Sequence, residues 1–373
     1  MLRYDDMRVD RLLVKEYQAM LEADLKAVVG LNDIDRLLAA FEHVFATYIG
    51  VKYAFAVNSG TDALQLALLA LGVGKGDRVI LPNVTYPADP LAVLYVGATP
   101  VFADIKDDLQ VDENEIERLC SKKVKAIIAP HMFARPCAIQ KIMAIARAHK
   151  IPVIEDCCQA ESTALGGKRL GSFGEISCFS FSYYKPLSSC GGGGGMLCFN
   201  DPVMKTRFEA YTRVWDDQAE LLDAGQRFSR MNLLDLSAVK AKWKYLKDII
   251  KSRRMIQALY EQELSAVPGV KLFLDPPDSM CVLQNFPLRY ADRAAMAVQL
   301  SKNGVICQDP YTPFHMMNIF KAFAKGKYPQ SDMYVKHVLQ LPLFSFMKKE
   351  EALRAAALVQ RLSKGMIQTR KGV

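Results

Sequence analysis

The feature that most constrains this chain is an alternation between residues 53 and 156. Short apolar segments at 53–57, 78–81, 100–104, 124–129 and 152–156 are separated by stretches whose apolar residues recur at helical spacing. Short apolar runs bounded by turn residues read as strands buried on both faces. Repeated strand–helix units predict an α/β fold with a mostly parallel central sheet and helices on both faces. Ligands in such sheets bind at the carboxyl ends of the strands. The polar residues placed there are the ones to examine: 58–61, 82–86, His131, 156–159 and 180–185.

Local signals agree with that frame. Ile34, Leu37, Leu38, Phe41, Val44, Phe45 and Tyr48 lie on one helical face, with Asn32 as the expected cap and Gly50 as the stop. Asp112 and Glu115 predict a capping box for a helix through Leu119. After Gly195 the character changes. Residues 236–264 predict one long helix or two joined ones. Beyond them come short strands and helices broken by Pro276, Pro277, Pro287, Pro310 and Pro313. A chain of 373 residues is long for one compact domain. The expected division is a large domain, 1–249, and a smaller C-terminal α/β domain, 250–373.

Composition excludes several classes. Hydrophobic residues make up 51% and charged residues 24%, which is ordinary for a globular protein. No apolar run approaches the length of a membrane span, and the first residues mix acids and bases without a signal-like apolar region. A soluble, cytoplasmic protein is expected. The net charge of +8 is spread thinly and accompanies no nucleic-acid-binding motif, so no nucleic-acid partner is expected. The nine cysteines mostly sit in apolar strings, and no Cys-x-x-Cys pair occurs. Reduced thiols are expected, and no metal.

The chemistry lies in four places. Five consecutive glycines, 191–195, invite a dinucleotide reading, but they do not follow the first strand. A strand-like segment, 196–199, comes after them. Close backbone packing or a tight turn is the better account. Residues 58–61, Asn-Ser-Gly-Thr, join a strand to a helix, where free N–H groups favour a phosphate. Asp156 ends an apolar strand. Lys185 follows the strand-like CFSFS and two tyrosines, at the mouth of the expected crevice. A lysine for a Schiff base, an acid for a pyridine nitrogen and a phosphate cradle together fit pyridoxal 5'-phosphate (PLP). Tyr86 could stack on its ring.

These residues sit in motifs that resemble the DegT/StrS family of fold-type-I PLP-dependent sugar and cyclitol aminotransferases. The matching segments are NSGTDALQLAL at 58–68, LPNVTYPADPLAVLYVGATPVFADI at 81–105, IPVIEDCCQA at 151–160 and GGKRLGSFGEISCFSFSYYKPL at 166–187. SRM at 229–231, YTPFH at 311–315 and LPL at 341–343 also match. The resemblance implies that Lys185 carries the cofactor and is the general base, and that Asp156 pairs with the ring nitrogen. Gln159 would meet the phenolic oxygen, Tyr86 would stack on the ring, and Ser59, Gly60, Thr61 and Ser180 would hold the phosphate. Arg230, His131 and His315 are the candidates for substrate contacts.

The resemblance further implies a homodimer with shared active sites. The cofactor would alternate between PLP and its amine form, PMP. Glutamate or glutamine would be the donor, and a keto-sugar, nucleotide-linked, or a keto-cyclitol the acceptor. Three positions depart from the family pattern. Phe228 replaces an asparagine, the loop after the lysine is all glycine with no acid, and Ala134 replaces a glycine. A PMP-dependent dehydratase of the same fold would carry histidine at position 185. A non-catalytic relative would have no need of Lys185, Asp156 and Gln159 together.

Overall fold

A computed structural model describes residues 1–6, 8–189, 191–212 and 229–371. Its largest sheet has seven strands: β1 (Tyr53–Val57), β2 (Arg78–Pro82), β3 (Thr99–Ala103), β4 (Val124–Pro130), β5 (Val153–Asp156), β6 (Ile176–Ser180) and β7 (Gly195–Phe199). They lie in the order β1-β7-β6-β5-β4-β2-β3. Strand β7 runs antiparallel to both of its neighbours, and every other pairing is parallel.

Strand geometry sends successive side chains to opposite faces, and two layers of helix cover them. Phe55, Val57, Val79 and Leu81 pack on one face with the helix Gly60–Ala70 and with Phe314 and Phe320. On the other face, Ala56, Phe179 and Met196 meet Phe41 and Phe45 of the helix Leu31–Ile49, while Ile127 and Val153 meet the helix Ile139–His149. The apolar strands of the sequence are therefore covered on both sides.

A second core gathers around three strands, Val270–Leu272, Phe286–Tyr290 and Val338–Leu341, with the helices Leu246–Leu264, Arg293–Lys302 and Lys349–Lys371. It also recruits Leu2, whose strand pairs in parallel with Val305–Ile306. The expected boundary at 249/250 falls inside the helix Leu246–Leu264. Ile249 of that helix packs on Val9 and Leu13, while Ile256, Tyr260 and Leu264 enter the second core.

Local details refine the sequence reading. The helix expected to start at Asn32 begins at Leu31 with Gly30 as its cap. Asp33 sets that start: its carboxylate accepts from the N–H groups of Val29 and Gly30 at 2.9 and 3.0 Å. Gly50 ends the helix in the left-handed region, φ 88°. Asp112 caps the helix Glu113–Leu119 as expected. The long helical pattern resolves into two helices, Leu233–Trp243 and Leu246–Leu264. Among the described residues no helix is long and apolar enough to cross a membrane.

Candidate active site

The ends of β1, β5 and β6 converge with the loop after β6. Ser59 caps the helix Gly60–Ala70, its hydroxyl accepting from the Asp62 N–H at 3.0 Å. Gly60 opens the helix at a point with no room for a side chain. A Cβ there would lie 2.8 Å from both Cys158 Sγ and Ser180 Cβ. The helix N-terminus is thereby pressed against Ser180, the last residue of β6. Ser180 Oγ accepts from the Ser182 N–H at 3.3 Å and lies 3.1 Å from the Ser182 hydroxyl. Together these groups make a small polar cradle beside a helix dipole.

The glycine run closes this cradle from behind. A Cβ on Gly195 would sit 2.5 Å from the Ser59 carbonyl. Gly192 and Gly194 adopt positive φ, 74° and 90°. Only glycine meets both demands without strain, which is the packing role expected of the run.

Asp156 closes β5 and is buried. Its Oδ1 accepts from the Cys158 N–H at 2.9 Å. Gln159 is buried a turn further on. Its Oε1 is occupied by the Phe133 N–H at 2.8 Å, which leaves its Nε2 to donate. That Nε2 lies 3.4 Å from the Tyr311 hydroxyl. The Tyr86 ring stands edge-on to Tyr311, centroids 6.1 Å apart, and is 56% exposed. Burial pushes the Tyr311 phenol up to about 12, so its hydroxyl keeps its proton.

Lys185 lies in the loop after β6, half-buried, and its Nζ makes one long contact, 3.4 Å to Gln284 Oε1. Gln284 is held in turn by Arg253, a buried guanidinium that donates to the carbonyls of Leu283, Gln284 and Leu343. Burial lowers Arg253 to about 10. The charge of Lys185 reaches Cys158, whose N–H donates to Asp156. The lysine and the acid thus serve one crevice.

Each of the three candidate substrate contacts has partners within its own chain. His131 is fully buried beneath the crevice. Its Nε2 lies 3.0 Å from Glu155, and its Nδ1 accepts from the Cys137 N–H at 3.2 Å. A single ring proton on Nε2 satisfies both contacts. Glu155 also takes the N–H groups of Gly171, Phe173 and Gly174. His131, Glu155 and Cys157 form a cluster of metal-ligand types within 4.8 Å. The lone pairs of the first two are already committed to holding the loop.

Arg230 is bound by its own chain. It donates to Glu42 at 2.5 Å and to the Ala56 carbonyl at 3.2 Å, and it lies over the Phe55 ring. His315 touches Asn83 at 2.8 Å and Asp332 at 3.1 Å, and it stacks on Tyr328. Phe228 lies outside the described residues. Ala134 occupies a left-handed position, φ 58°, which accounts for the glycine expected there.

Sequence reasoning passed over Tyr311, Gln284 and Asp89. Tyr311 was visible only as part of a matching segment, YTPFH. Gln284 comes from the second core and carries no local signal. Asp89 stands within YPADPLAV, where an acid in an apolar helix was the available sign.

The residues present fit PLP: a helix N-terminus with two serines for the phosphate, a buried acid, an amide donor, an aromatic ring and a lysine at one crevice. Fold and site together define a PLP-dependent aminotransferase. The family model for the DegT/DnrJ/EryC1/StrS aminotransferase family matches residues 16–360, and the chain belongs to that family. Similar proteins include the UDP-N-acetyl-3-dehydro-alpha-D-glucosamine 3-aminotransferase of Acidithiobacillus ferrooxidans, 33% identical over 87% of this chain and 88% of that protein. The dTDP-3-amino-3,6-dideoxy-alpha-D-galactopyranose transaminase of Aneurinibacillus thermoaerophilus is 31% identical over 96% and 98%. Among solved structures, DesV of S. venezuelae in complex with a ketimine intermediate superposes with a TM-score of 0.87. It is 28% identical, covering 95% of this chain and 96% of that one.

Proposed function

We propose that this aminotransferase moves an amino group from glutamate or glutamine to a keto-sugar carried on a nucleotide, acting as a homodimer in the cytoplasm. The observation that carries the reading is the convergence of Lys185, Asp156, Gln159 and the Ser59–Ser180 cradle at one crevice. The names of the relatives at about one-third identity, each a nucleotide-sugar aminotransferase, support the acceptor class.

When bound, the cofactor supplies an electron sink at its protonated ring. The chain's residues do the rest. Asp156 would pair with the ring nitrogen and hold its proton. Gln159 Nε2 donates to the phenolic oxygen. Tyr86 would cover one face of the ring. Ser59, Gly60, Thr61 and Ser180 hold the phosphate at the helix N-terminus. Lys185 Nζ anchors the cofactor covalently. With its amine neutral, Lys185 would be the group able to accept and return a proton at the crevice. The exposed rings of Tyr86, Tyr183 and Tyr184 support a second subunit covering them.

A panel of amino donors and nucleotide-linked keto-sugars tests the reading, followed by the absorbance change between PLP and PMP forms. Glutamate or glutamine should drive the first half-reaction, and one nucleotide keto-sugar should reverse it. Reversal only by keto-cyclitols would overturn the acceptor. A fully active monomer in sedimentation would overturn the dimer.

A further inference from the structure

Asp89 lies in the first turn of the helix Ala88–Tyr95, which follows β2, and is 0% exposed. The Thr85 hydroxyl donates to its Oδ2 at 2.7 Å. Its Oδ1 is buried and receives no donor among the described residues. The carboxyl of Asp156 is its interacting neighbour, through charge and as a side-chain hydrogen-bond partner. Two ionised carboxylates are acceptors only and cannot bond to each other, so the contact requires a proton on one of them.

The surroundings decide which acid holds it. Asp156 has an N–H donor of its own, from Cys158, and lies at the end of β5 where the crevice begins. Asp89 has one neutral hydroxyl and is wholly buried. Burial pushes its carboxyl well above the usual range, and the charge of Asp156 pushes it further. The nearby thiols of Cys158 and Cys178 are likewise pushed up by burial, so no other anion competes in the cluster.

We propose that Asp89 is a positioning residue: a proton-bearing acid that donates to Asp156 and holds that carboxylate aimed at the cofactor's ring nitrogen. The proposal rests on the reading of Asp156 as the ring-nitrogen partner. Without the donor, the Asp156 carboxylate would lose a hydrogen bond on the side away from the crevice and with it a constraint on its orientation. A merely structural Asp89 would tie down Thr85 and nothing more.

The test compares wild type, Asp89→Asn and Asp89→Leu. Asparagine keeps both contacts, accepting from Thr85 and donating an N–H to Asp156; leucine keeps neither. Infrared difference spectra at neutral pH should show a protonated carboxyl in wild type that is missing from Asp89→Asn, in cofactor-free and loaded protein alike. PLP affinity should stay within about threefold of wild type in Asp89→Asn. In folded Asp89→Leu it should fall roughly tenfold to a hundredfold, the loss of one hydrogen bond to a charged group. Identical carboxyl spectra in wild type and Asp89→Asn, or unweakened cofactor binding by Asp89→Leu, would overturn the proposal. The infrared result does not depend on the cofactor. Full PLP affinity and turnover in Asp156→Ala would therefore strike the reading of Asp156 separately.

Discussion

At the scale of residues, the site separates into groups that face the crevice and groups that hold them there. Lys185 faces it with one long contact to Gln284 to give up. Its amine should form the covalent link to PLP, which arginine could not replace because it stays protonated. Lys185→Ala should bind PLP only non-covalently, and borohydride treatment of wild type should label Lys185. Turnover in the variant should fall roughly a hundredfold to ten-thousandfold from lost proton transfer alone. A label on another lysine, or full turnover in the variant, would refute the assignment. Arg230 and His131 both have hydrogen-bond partners within their own chain. Both are charged or polar residue types that invite a ligand in the sequence, yet Glu42, Glu155 and backbone groups already engage them. A sequence shows which donor types exist, but not whether the fold has already used them.

At the scale of elements, the cradle depends on how closely β7 approaches the start of the helix Gly60–Ala70. Gly195→Ala places a methyl group 2.5 Å from the Ser59 carbonyl. The neighbour is backbone and cannot swing aside, so the strand or the helix must shift. Overpacking of this kind costs about 1–3 kcal/mol. Denaturant unfolding should record that loss, and PLP binding should weaken with it because Ser59 and Gly60 move. Unchanged stability and affinity would mean that the cradle tolerates a wider gap. The elements themselves were largely legible beforehand: 53–57 was expected as a strand and is one, and the Asp112 cap is in place. The start of the helix Leu31–Ile49 was misread because Asn32 is a good cap by type. Asp33, reaching back to Val29 and Gly30, decides the start instead.

At the scale of the whole molecule, the two cores are tied together by charge as well as by chain. Asp107, in the loop after β3, pairs with Lys271 and with Arg289 of the second core's sheet. The hydrogen bond from Lys271 lowers the Asp107 carboxyl below its usual range, and Arg289 adds to this. A lowered folded-state value means stabilisation that is present above the unfolded value and lost as pH falls through the folded one. Asp107→Asn should therefore cost under about 1 kcal/mol at neutral pH, as expected of a largely exposed pair. Its difference from wild type should shrink as the pH drops below 3.8, the ordinary value for this acid. A difference that persists unchanged in acid would assign the effect to packing rather than charge.

The sequence by itself determined the alternating strands and helices, the mostly parallel sheet, Asp156 at a strand end and Lys185 in the loop beyond another. Those follow from local periodicity and from where a strand stops, and both are written in consecutive residues. Only the tertiary structure decided what lies opposite what. Nothing local links Leu2 to Val305, Gln284 to Lys185, or Asp89 to Asp156. These contacts form because two layers of helix must cover both faces of one twisted sheet. That packing brings distant segments to the same strand ends and encloses their polar groups together, where each must find a partner or hold a proton.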